Sequence, residues 1–178
     1  YDRDQRLECQ ALRINEIISS NACSAGSGLL GEDRITKNIY NSAGELEQII
    51  EGYDTSVQRV SKQNVYNTKG QLYQVKDGNN NTTQYQYDGY GRLQRTIFPS
   101  KTTDGSINAS DYIHVTYEGS LVKNQRLRNG TTVTYQYDNW NRKIRASSSS
   151  NGTYGSINET FGYDNFDNLT SHTNSSTG

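Results

Sequence analysis

Two histidines, two cysteines and a series of aspartates are the side chains of this sequence that could take part in chemistry. Acid–base catalysis needs a histidine or two carboxylates within reach of one another. His114 and His172 stand in separate stretches, and no Gly-x-Ser-x-Gly nucleophile motif surrounds either. The glycines fall at turns between strand-like segments and never before a helix, so no phosphate-binding loop is present. A metal site needs more ligands than these cysteines and distant histidines. The sequence therefore predicts no catalytic residue, no metal site and no cofactor.

Cys9 and Cys23 are close enough in sequence to close a short loop. A disulfide would fit an exported protein, and two reduced thiols would fit the sequence equally well. Cys9 and Cys23 are therefore a candidate disulfide whose state the sequence leaves open.

The aspartates belong to a motif that recurs along the chain. Its most complete copy is Tyr87-Asp88-Gly89-Tyr90-Gly91-Arg92-Leu93. We call the tyrosine the anchor, the next five residues positions 1 to 5 of the anchor turn, and the residue after them position 6. The anchors of the other copies are Tyr1, Tyr40, Tyr66, Tyr117, Tyr137 and Tyr163. Repetition of this kind is typical of an architecture built from stacked units, and only the Tyr117 copy has a turn that looks shortened.

Three positions of the motif have a physical explanation. Position 1 is Asp or Asn in all but the Tyr117 copy, and these side chains cap their own backbone in Asx-turns. Within the six aligned copies, those other than the Tyr117 copy, position 4 is Gly, Asn or Asp, which tolerate positive φ, and only Gln5 departs from this pattern. Position 6 is mostly Leu, which we expect to face the core. The residues assigned to the motif are Tyr40, Asn41, Gly44, Leu46, Tyr66, Asn67, Gly70, Leu72, Tyr87, Asp88, Gly91, Arg92, Leu93, Tyr137, Asp138, Asn141, Tyr163, Asp164, Asp167 and Leu169.

The copy that starts at Tyr137 departs from the others at position 6. Lys143 takes the place of leucine, and Ile144 follows it. This order is compatible with either a β-bulge or a one-residue shift of the outgoing strand.

The segments before the anchors alternate with the period of a β-strand. Residues 83–87 and 133–137 each place two tyrosines on one face and Gln or Thr on the other, as in a half-buried strand. Turn residues precede them at 77–81 and 128–131. The repeating unit is therefore strand, turn, strand, turn. The sequence predicts an all-β fold of tandem antiparallel β-hairpin repeats.

Two stretches also show helix-like spacing. One comprises Leu46, Ile49, Ile50, Tyr53 and Val57, where we predict strand because Leu46 occupies the same repeat position as Leu72 and Leu93. The other comprises Leu7, Ala11, Ile14 and Ile18, and here helix and strand both remain open.

The composition fits short strands with an aromatic face. Hydrophobic residues make up 31% of the 178 residues, and the mean hydropathy is −0.94. Fourteen tyrosines replace part of the missing apolar mass. The 18 basic and 19 acidic residues nearly balance, so the chain shows no excess of basic residues that would indicate nucleic-acid binding. No apolar run reaches membrane-spanning length. Surface loops are expected near 21–33, 99–110 and 146–156.

The sequence has no Met and begins at Tyr1, so we interpret residues 1–178 as one segment of a larger protein. The isolated segment should then expose unpaired sheet edges and tend to associate.

The quoted motif resembles the YD repeats of the RHS family, found in bacterial polymorphic toxins, insecticidal toxin complexes, wall-associated proteins and teneurins. The resemblance covers nearly the whole chain, and Tyr-Asp-x-x-Gly-Arg-Leu is intact at Tyr87. It implies a spiralling YD-repeat shell that encloses a C-terminal effector domain, in a secreted or cell-surface bacterial protein. The implied partners are the remainder of the shell and the effector. No self-cleavage motif of the Asp-Pro-x-Gly kind, plug segment or effector domain is found.

Two functions follow from these residues and the resemblance. The first is a structural, non-catalytic shell segment that encloses or presents a toxin domain. The alternative is a cell-surface carbohydrate-binding or adhesion module that uses exposed aromatics to contact glycans or a target-cell surface. A fixed tyrosine position next to a turn favours cross-strand packing over ligand binding, since each such pair contributes about 0.2–1 kcal/mol.

Overall fold

The computed structural model describes residues 1–14, 21–149 and 152–176, and every regular element in them is a β-strand. Alternating side chains and closely spaced turn residues explain why strands form here. The strands are β1 (Cys9–Leu12), β2 (Ser27–Gly28), β3 (Gly31–Glu32), β4 (Arg34–Tyr40), β5 (Leu46–Glu51), β6 (Arg59–Tyr66), β7 (Leu72–Asp77), β8 (Thr82–Tyr87), β9 (Leu93–Pro99), β10 (Ile107–Glu118), β11 (Leu121–Arg126), β12 (Thr132–Tyr137), β13 (Lys143–Ser147), β14 (Asn158–Tyr163) and β15 (Leu169–Asn174).

Thirteen of these strands follow one another in chain order within one antiparallel sheet, and β2 and β3 form a separate small hairpin. Sequential hairpins of this kind need only short connections. The predicted all-β fold of tandem antiparallel hairpins is confirmed. No helix in the described ranges is long and apolar enough to cross a membrane.

The chain forms two compact units. The first contains Tyr1–Gln84 and Pro99–Ile107, and thus β1 to β7 and the start of β8. The second contains Tyr85–Phe98 and the described chain from Asn108 onward, with most of β9 and β10 and all of β11 to β15.

The apolar core of each unit is small. In the first unit Cys9, Ile35 and Ile50 are the buried apolar side chains among the described residues, and only Ile35 is below 2% exposed. Those of the second unit are Ile97, Val133 and Ala146. With so little apolar burial, hydrogen bonds and aromatic stacking must contribute much of the stability.

The loop predicted at 99–110 is shorter than expected. β9 extends to Pro99 and β10 begins at Ile107, so only residues 100–106 connect them. Polar composition suggested a loop, but residues 107–110 belong to β10, which lies between β9 and β11 in the sheet, and Asp111 forms an ion pair with Arg128. The loop predicted at 146–156 begins later, because Ala146 and Ser147 belong to β13; residues 150–151 lie outside the described ranges.

The loop predicted at 21–33 is partly ordered as strand. It contains the β2–β3 hairpin, whose tip places Leu29 and Leu30 in solvent. Its last residue, Asp33, is only 2% exposed. Asp33 is buried because its carboxylate is fully hydrogen-bonded, which composition alone could not indicate.

Both helix-like stretches contain strand. Leu46–Glu51 is β5, as predicted, and Tyr53 and Val57 fall in the connection to β6. Of the first stretch, Ala11 lies in β1, and Ile18 is outside the described residues.

A β-bulge accompanies the anchors in general, and not the Tyr137 copy alone. Register shifts occur at Ile39/Tyr40, Val65/Tyr66, Thr116/Tyr117, Gln136/Tyr137 and Gly162/Tyr163. Tyr137 pairs with Lys143 as Tyr66 pairs with Leu72. Lys143 therefore occupies the ordinary position 6, and no one-residue shift to Ile144 takes place.

Candidate functional site

The candidate site is the series of anchor turns together with the side chains that connect each turn to the next repeat. In the copy after Tyr87, the Asp88 amide donates to the Arg92 carbonyl at 2.9 Å. The Gly91 amide donates to the Asp88 carbonyl at 3.0 Å, and Gly91 has φ 82°. This five-residue loop needs a left-handed residue at position 4. Position 4 has positive φ in the other full copies as well, at Gln5, Gly44, Gly70, Asn141 and Asp167.

The carboxylate at position 1 is the centre of each charged turn. Asp88 Oδ1 accepts the Tyr90 and Arg92 amides at 2.9 and 3.0 Å, and Oδ2 accepts Arg92 Nε at 2.7 Å. Asp138 accepts the Trp140 and Arg142 amides and Arg142 Nε in the same way. Every oxygen of these carboxylates is therefore already engaged within its own turn, which makes them turn caps and leaves no free base.

The side chain at position 5 is matched to the one at position 1. Aspartate meets a donor, as in Asp88–Arg92 and Asp164–Asn168. Asparagine instead donates to an acceptor, with Asn41 Nδ2 2.7 Å from Glu45 Oε2. The remaining matched pairs are Asp2–Arg6, Asn67–Gln71 and Asp138–Arg142. This complementarity was missed from the sequence, although aligning positions 1 and 5 of the copies would have shown it.

The same turn also occurs away from the anchors. Asp77 caps the loop 77–81 with bonds from the Asn79 and Asn81 amides, both 2.9 Å. Leu127 and Thr131 close a loop with the same backbone bonds, at 2.8 Å from the Thr131 carbonyl to the Leu127 amide. One loop geometry therefore serves both ends of these hairpins. In the loop that starts at Leu127, Asn129 Oδ1 accepts the Thr131 amide at 3.0 Å in place of a cap at position 1.

The capping carboxyls are more acidic than usual. Burial raises the pKa of Asp88 and Asp138, but hydrogen bonds from Arg92 and Arg142 outweigh it and hold each pKa below the ordinary value. The Asn168 side-chain amide is the main cause of the lowered pKa of Asp164. Ionisation of these aspartates therefore stabilises the turns, and protonation weakens the bonds that they accept.

The anchor tyrosines join one repeat to the preceding one. The Tyr66 hydroxyl donates to the Leu46 carbonyl at 2.9 Å, and the Tyr163 hydroxyl donates to the Lys143 carbonyl at 2.9 Å. In each case the acceptor is position 6 of the copy before. The same contact joins Tyr40 to Leu7, Tyr117 to Leu93 and Tyr137 to Val122.

Several leucines of position 6 are exposed, and for these the prediction that position 6 faces a core is wrong. Leu93 is 40% exposed and Leu169 is 55% exposed, while Leu46 and Leu72 are half-buried. The hydrogen bond from the next anchor goes to the backbone carbonyl of this position. This is why Lys143 can replace leucine there.

Arginine at position 5 reaches further than its own turn. Arg142 Nη1 donates to the Asp164 carbonyl at 2.9 Å and to Asp167 Oδ1 at 2.8 Å. Arg142 also lies over the Tyr163 ring, 4.8 Å from its centroid. Cation–π contacts of this kind contribute about 0.5–1 kcal/mol at exposed sites. The charged turns are therefore bonded to the next repeat, and not only to themselves.

Three turns of the second unit present an exposed ring at position 3. Tyr90 is 89% exposed, Trp140 73% and Phe166 86%. The guanidinium groups of Arg92 and Arg142 lie 5.2 and 4.8 Å from the rings of Tyr90 and Trp140. These three residues, which we call the tip aromatics, are held by rigid turns but covered by nothing in the described chain.

A second polar cluster surrounds Asp33 and connects it to residues near the start of the chain. Cys9 and Cys23 form a disulfide in the structure. Nearby, Asp33 accepts the Ile14 and Gly26 amides at 2.9 Å and Arg13 Nη1 at 2.8 Å. The Ile14 amide, followed by Arg13, lowers the pKa of Asp33 to about 2. A buried carboxylate thus replaces an apolar core in this corner.

The two histidines are separate. His172 stacks on Phe161 with ring centroids 4.7 Å apart, and its Nε2 is 3.8 Å from Glu159. His114 lies in β10, with Nε2 buried and without a hydrogen-bond partner. Within the described ranges no three His, Cys, Asp or Glu side chains are grouped as a metal site.

Comparison with known proteins supports this description. The RHS repeat family model matches residues 66–103, and no curated protein matches the chain. A structure of the Photorhabdus luminescens Tc holotoxin pore with a point mutation in TccC3 matches with a TM-score of 0.64 and 22% identity. The match covers 86% of this chain and 8% of that one.

Two related crystal structures give similar matches. TcdB2-TccC3 without its hypervariable C-terminal region matches with a TM-score of 0.65 and 21% identity, covering 86% of this chain and 8% of that one. TcdB2-TccC3-Cdc42 matches with a TM-score of 0.53 and 12% identity, covering 87% and 11%. The chain thus spans about a tenth of each solved chain. The predicted resemblance to the RHS family is confirmed: the chain carries an RHS repeat and shares the fold of these toxin components.

Proposed function

We propose that this chain is a structural, non-catalytic wall segment of an exported RHS-repeat protein, and that the wall encloses a C-terminal effector domain. The observation that carries the proposal is the bond that five of the anchor hydroxyls donate to a carbonyl of the preceding repeat. Together with the strand ladders, these bonds make each repeat depend on its neighbour. Such a sheet separates two sides, which is what an enclosing wall requires.

The chemistry of the polar groups supports a structural role. The turn aspartates are saturated with hydrogen bonds, as described for Asp88 and Asp138, so they hold backbone and do not accept a proton from a substrate. Export is supported by the Cys9–Cys23 disulfide, because disulfides persist in oxidising compartments. The likeness to the Tc toxin components supports a partner domain of the toxin kind.

Limited proteolysis of the full-length protein that contains this chain tests the proposal. We expect a downstream domain that resists protease in the native protein and is digested when the wall is weakened by Asp138→Ala with Tyr163→Phe. These changes remove one turn cap and one bond between repeats. Arg59→Ala, in a solvent-exposed ion pair, is the matched control and should leave protection intact. A downstream domain digested equally fast in the native protein would contradict the enclosure.

Glycan binding at the cell surface is the second candidate, and the tip aromatics favour it. Three exposed rings on rigid turns resemble the stacking surfaces that bind sugars or other apolar faces. Binding to a glycan array should disappear in Trp140→Ala with Tyr90→Ala. Lys69→Ala, at the same turn position in a copy without a ring, is the control. An array on which the native chain shows no binding would exclude this candidate.

A further inference from the structure

Each arginine at position 5 occupies an equivalent place in its repeat. Its guanidinium lies over the anchor tyrosine of the following copy, 4.0–4.8 Å from the ring centroid. The three pairs are Arg6–Tyr40, Arg92–Tyr117 and Arg142–Tyr163. This place over the ring of the following anchor is therefore a feature of the repeat, and arginine fills it in three copies.

Arg142 shows which groups of the next repeat form the place. The Tyr163 ring provides a face, the Asp164 carbonyl accepts Nη1 at 2.9 Å, and Asp167 Oδ1 accepts Nη1 at 2.8 Å. These groups belong to the anchor, position 1 and position 4. A planar guanidinium suits such a set, because it can stack and donate in its own plane together.

The copy that starts at Tyr117 has no arginine to place over the following anchor, Tyr137. Its turn is shortened to Glu118-Gly119-Ser120, with Glu118 paired to Leu121, so it has no position 5. A groove of about 600 Å³ opens there, and Tyr137, Asp138 and Asn141 are among the residues that line it. We call it the short-turn groove.

The groove has groups at the same three positions as those that hold Arg142, with the side-chain amide of Asn141 where the next copy has the Asp167 carboxylate. Tyr137 is the anchor, Asp138 has its carbonyl at position 1, and Asn141 is at position 4 with φ 64°. Among the described residues none places a cation over the Tyr137 ring, and the Asn141 side chain has no hydrogen-bond partner there. Glu118 also lines the groove, with its carboxylate 3.2 Å from Lys123.

We propose that the short-turn groove binds the guanidinium group of an arginine side chain presented by a polypeptide partner. The ring of Tyr137, the Asp138 carbonyl and Asn141 Oδ1 correspond to the groups that Arg142 contacts, while Glu118 and Lys123 at the groove pair with each other. A polypeptide is the expected source because all three filled places hold arginine on a chain segment. A groove of this volume also has room for the residues beside the arginine. The proposal is independent of whether the wall encloses an effector.

Titration of the ¹⁵N-labelled chain followed by NMR tests the proposal. The probes are acetyl-Gly-Arg-Gly-amide, its citrulline and lysine analogues, and free arginine amide. We expect saturable shifts at the amides of Tyr137, Asp138 and Asn141. Binding should be at least about tenfold tighter for the arginine peptide than for the citrulline peptide, because the charge is lost. The lysine peptide and free arginine amide should each bind several-fold more weakly.

Variants at Asn141 separate the groove from other surfaces. Asn141→Gly keeps the positive φ but removes the acceptor, and should weaken arginine-peptide binding several-fold. Asn141→Asp copies Asp167 and should strengthen it. Asn80→Gly, the matched change at an asparagine with φ 65° in another turn, should have no effect.

A variant in which residues 118–120 are replaced by the sequence of residues 88–92 restores the missing arginine and should abolish binding. Its melting curve shows whether it still folds. Equal binding of the citrulline and arginine peptides, or equal binding by Asn141→Asp and Asn141→Gly, would overturn the proposal. Free arginine amide that binds as tightly as the peptide would overturn the polypeptide assignment.

Discussion

The repeat after Tyr66 in the first unit and the repeat after Tyr137 in the second build the same turn from different chemistry. Asn67 accepts the Lys69 and Gln71 amides at 2.9 and 3.1 Å and donates to Gln71 Oε1 at 3.0 Å. Asp138 accepts the corresponding amides and ends in an ion pair with Arg142. The loop backbone is therefore set by an oxygen at position 1 and a left-handed residue at position 4, and not by charge.

In the ionic turn, the arginine also contacts the next repeat. Asn67 and Gln71 bond to each other, and Arg142 bonds to Asp164 and Asp167 and lies over the Tyr163 ring. Charge also makes the turn sensitive to pH and salt, because the asparagine turn has no group that titrates near neutral or acid pH. The two regions thus represent a neutral and an ionic solution to the same structural problem.

The largest effect should come from acid, which acts on all the charged sites together. Asp33 has a pKa of about 2 in the folded chain, below the ordinary value of 3.8 for an aspartate. Because its folded pKa is depressed, its contribution is complete above about pH 4 and is lost as the pH falls toward about 2. The lowered pKa values of Asp88, Asp138 and Asp164 act in the same direction.

We therefore expect the melting temperature to fall steeply between about pH 4 and pH 2. Circular dichroism melts across this range measure it. Asp33→Asn should reduce the slope most, because that carboxyl is the one with the strongest shift, whereas Asn67→Ala should leave the slope unchanged. A slope that Asp33→Asn does not alter would show that other groups cause the acid sensitivity.

Much of the fold could be predicted from the sequence, because it depends on local patterns. Alternation before Tyr87 and Tyr137 predicts strands, and Asp or Asn followed by Gly predicts the turns. The solvent exposure of Leu93 and Leu169 could not be predicted in this way. Sequence periodicity shows which residues share a face, but not whether another layer covers that face.

The candidate site could be predicted only in part. The Asx-turn role of position 1 follows from residue type, because short polar side chains bond to nearby backbone. The reach of Arg142 into the next repeat could not be predicted, since it depends on how far apart consecutive turns lie. The burial of Asp33 could not be predicted from the sequence either. Its partners Arg13 and Gly26 are brought together by the disulfide-closed loop and not by a motif.

A smaller effect is expected from removing one cap in each type of turn. Asp138→Ala leaves two amides and the Arg142 guanidinium without their acceptor in a half-buried turn. It should lower the melting temperature by about 4–8 °C at neutral pH. Asn67→Ala removes neutral bonds only and should lower it by about 2–4 °C. Differential scanning calorimetry of the two variants measures the difference, and equal losses would show that the ion pair adds nothing to the turn.

The smallest effect should follow from converting the ionic turn into the neutral one. Asp138→Asn with Arg142→Gln copies the Asn67–Gln71 pair, so the loop should keep its geometry. It replaces the ion pair with a neutral bond and loses the contacts of Arg142 with Asp164, Asp167 and the Tyr163 and Trp140 rings. Because exposed ion pairs contribute about 0–1 kcal/mol, we expect the melting temperature to fall by about 2 °C in low salt. The native chain and the variant should approach each other in 1 M NaCl, since salt screens the native contacts. Arg142→Gln alone is the informative control: it leaves Asp138 charged and without its cation, and should therefore melt below the double variant. If the double variant melts lower than Arg142→Gln, the two turns are not interchangeable and the neutral pair depends on its own surroundings in the first unit.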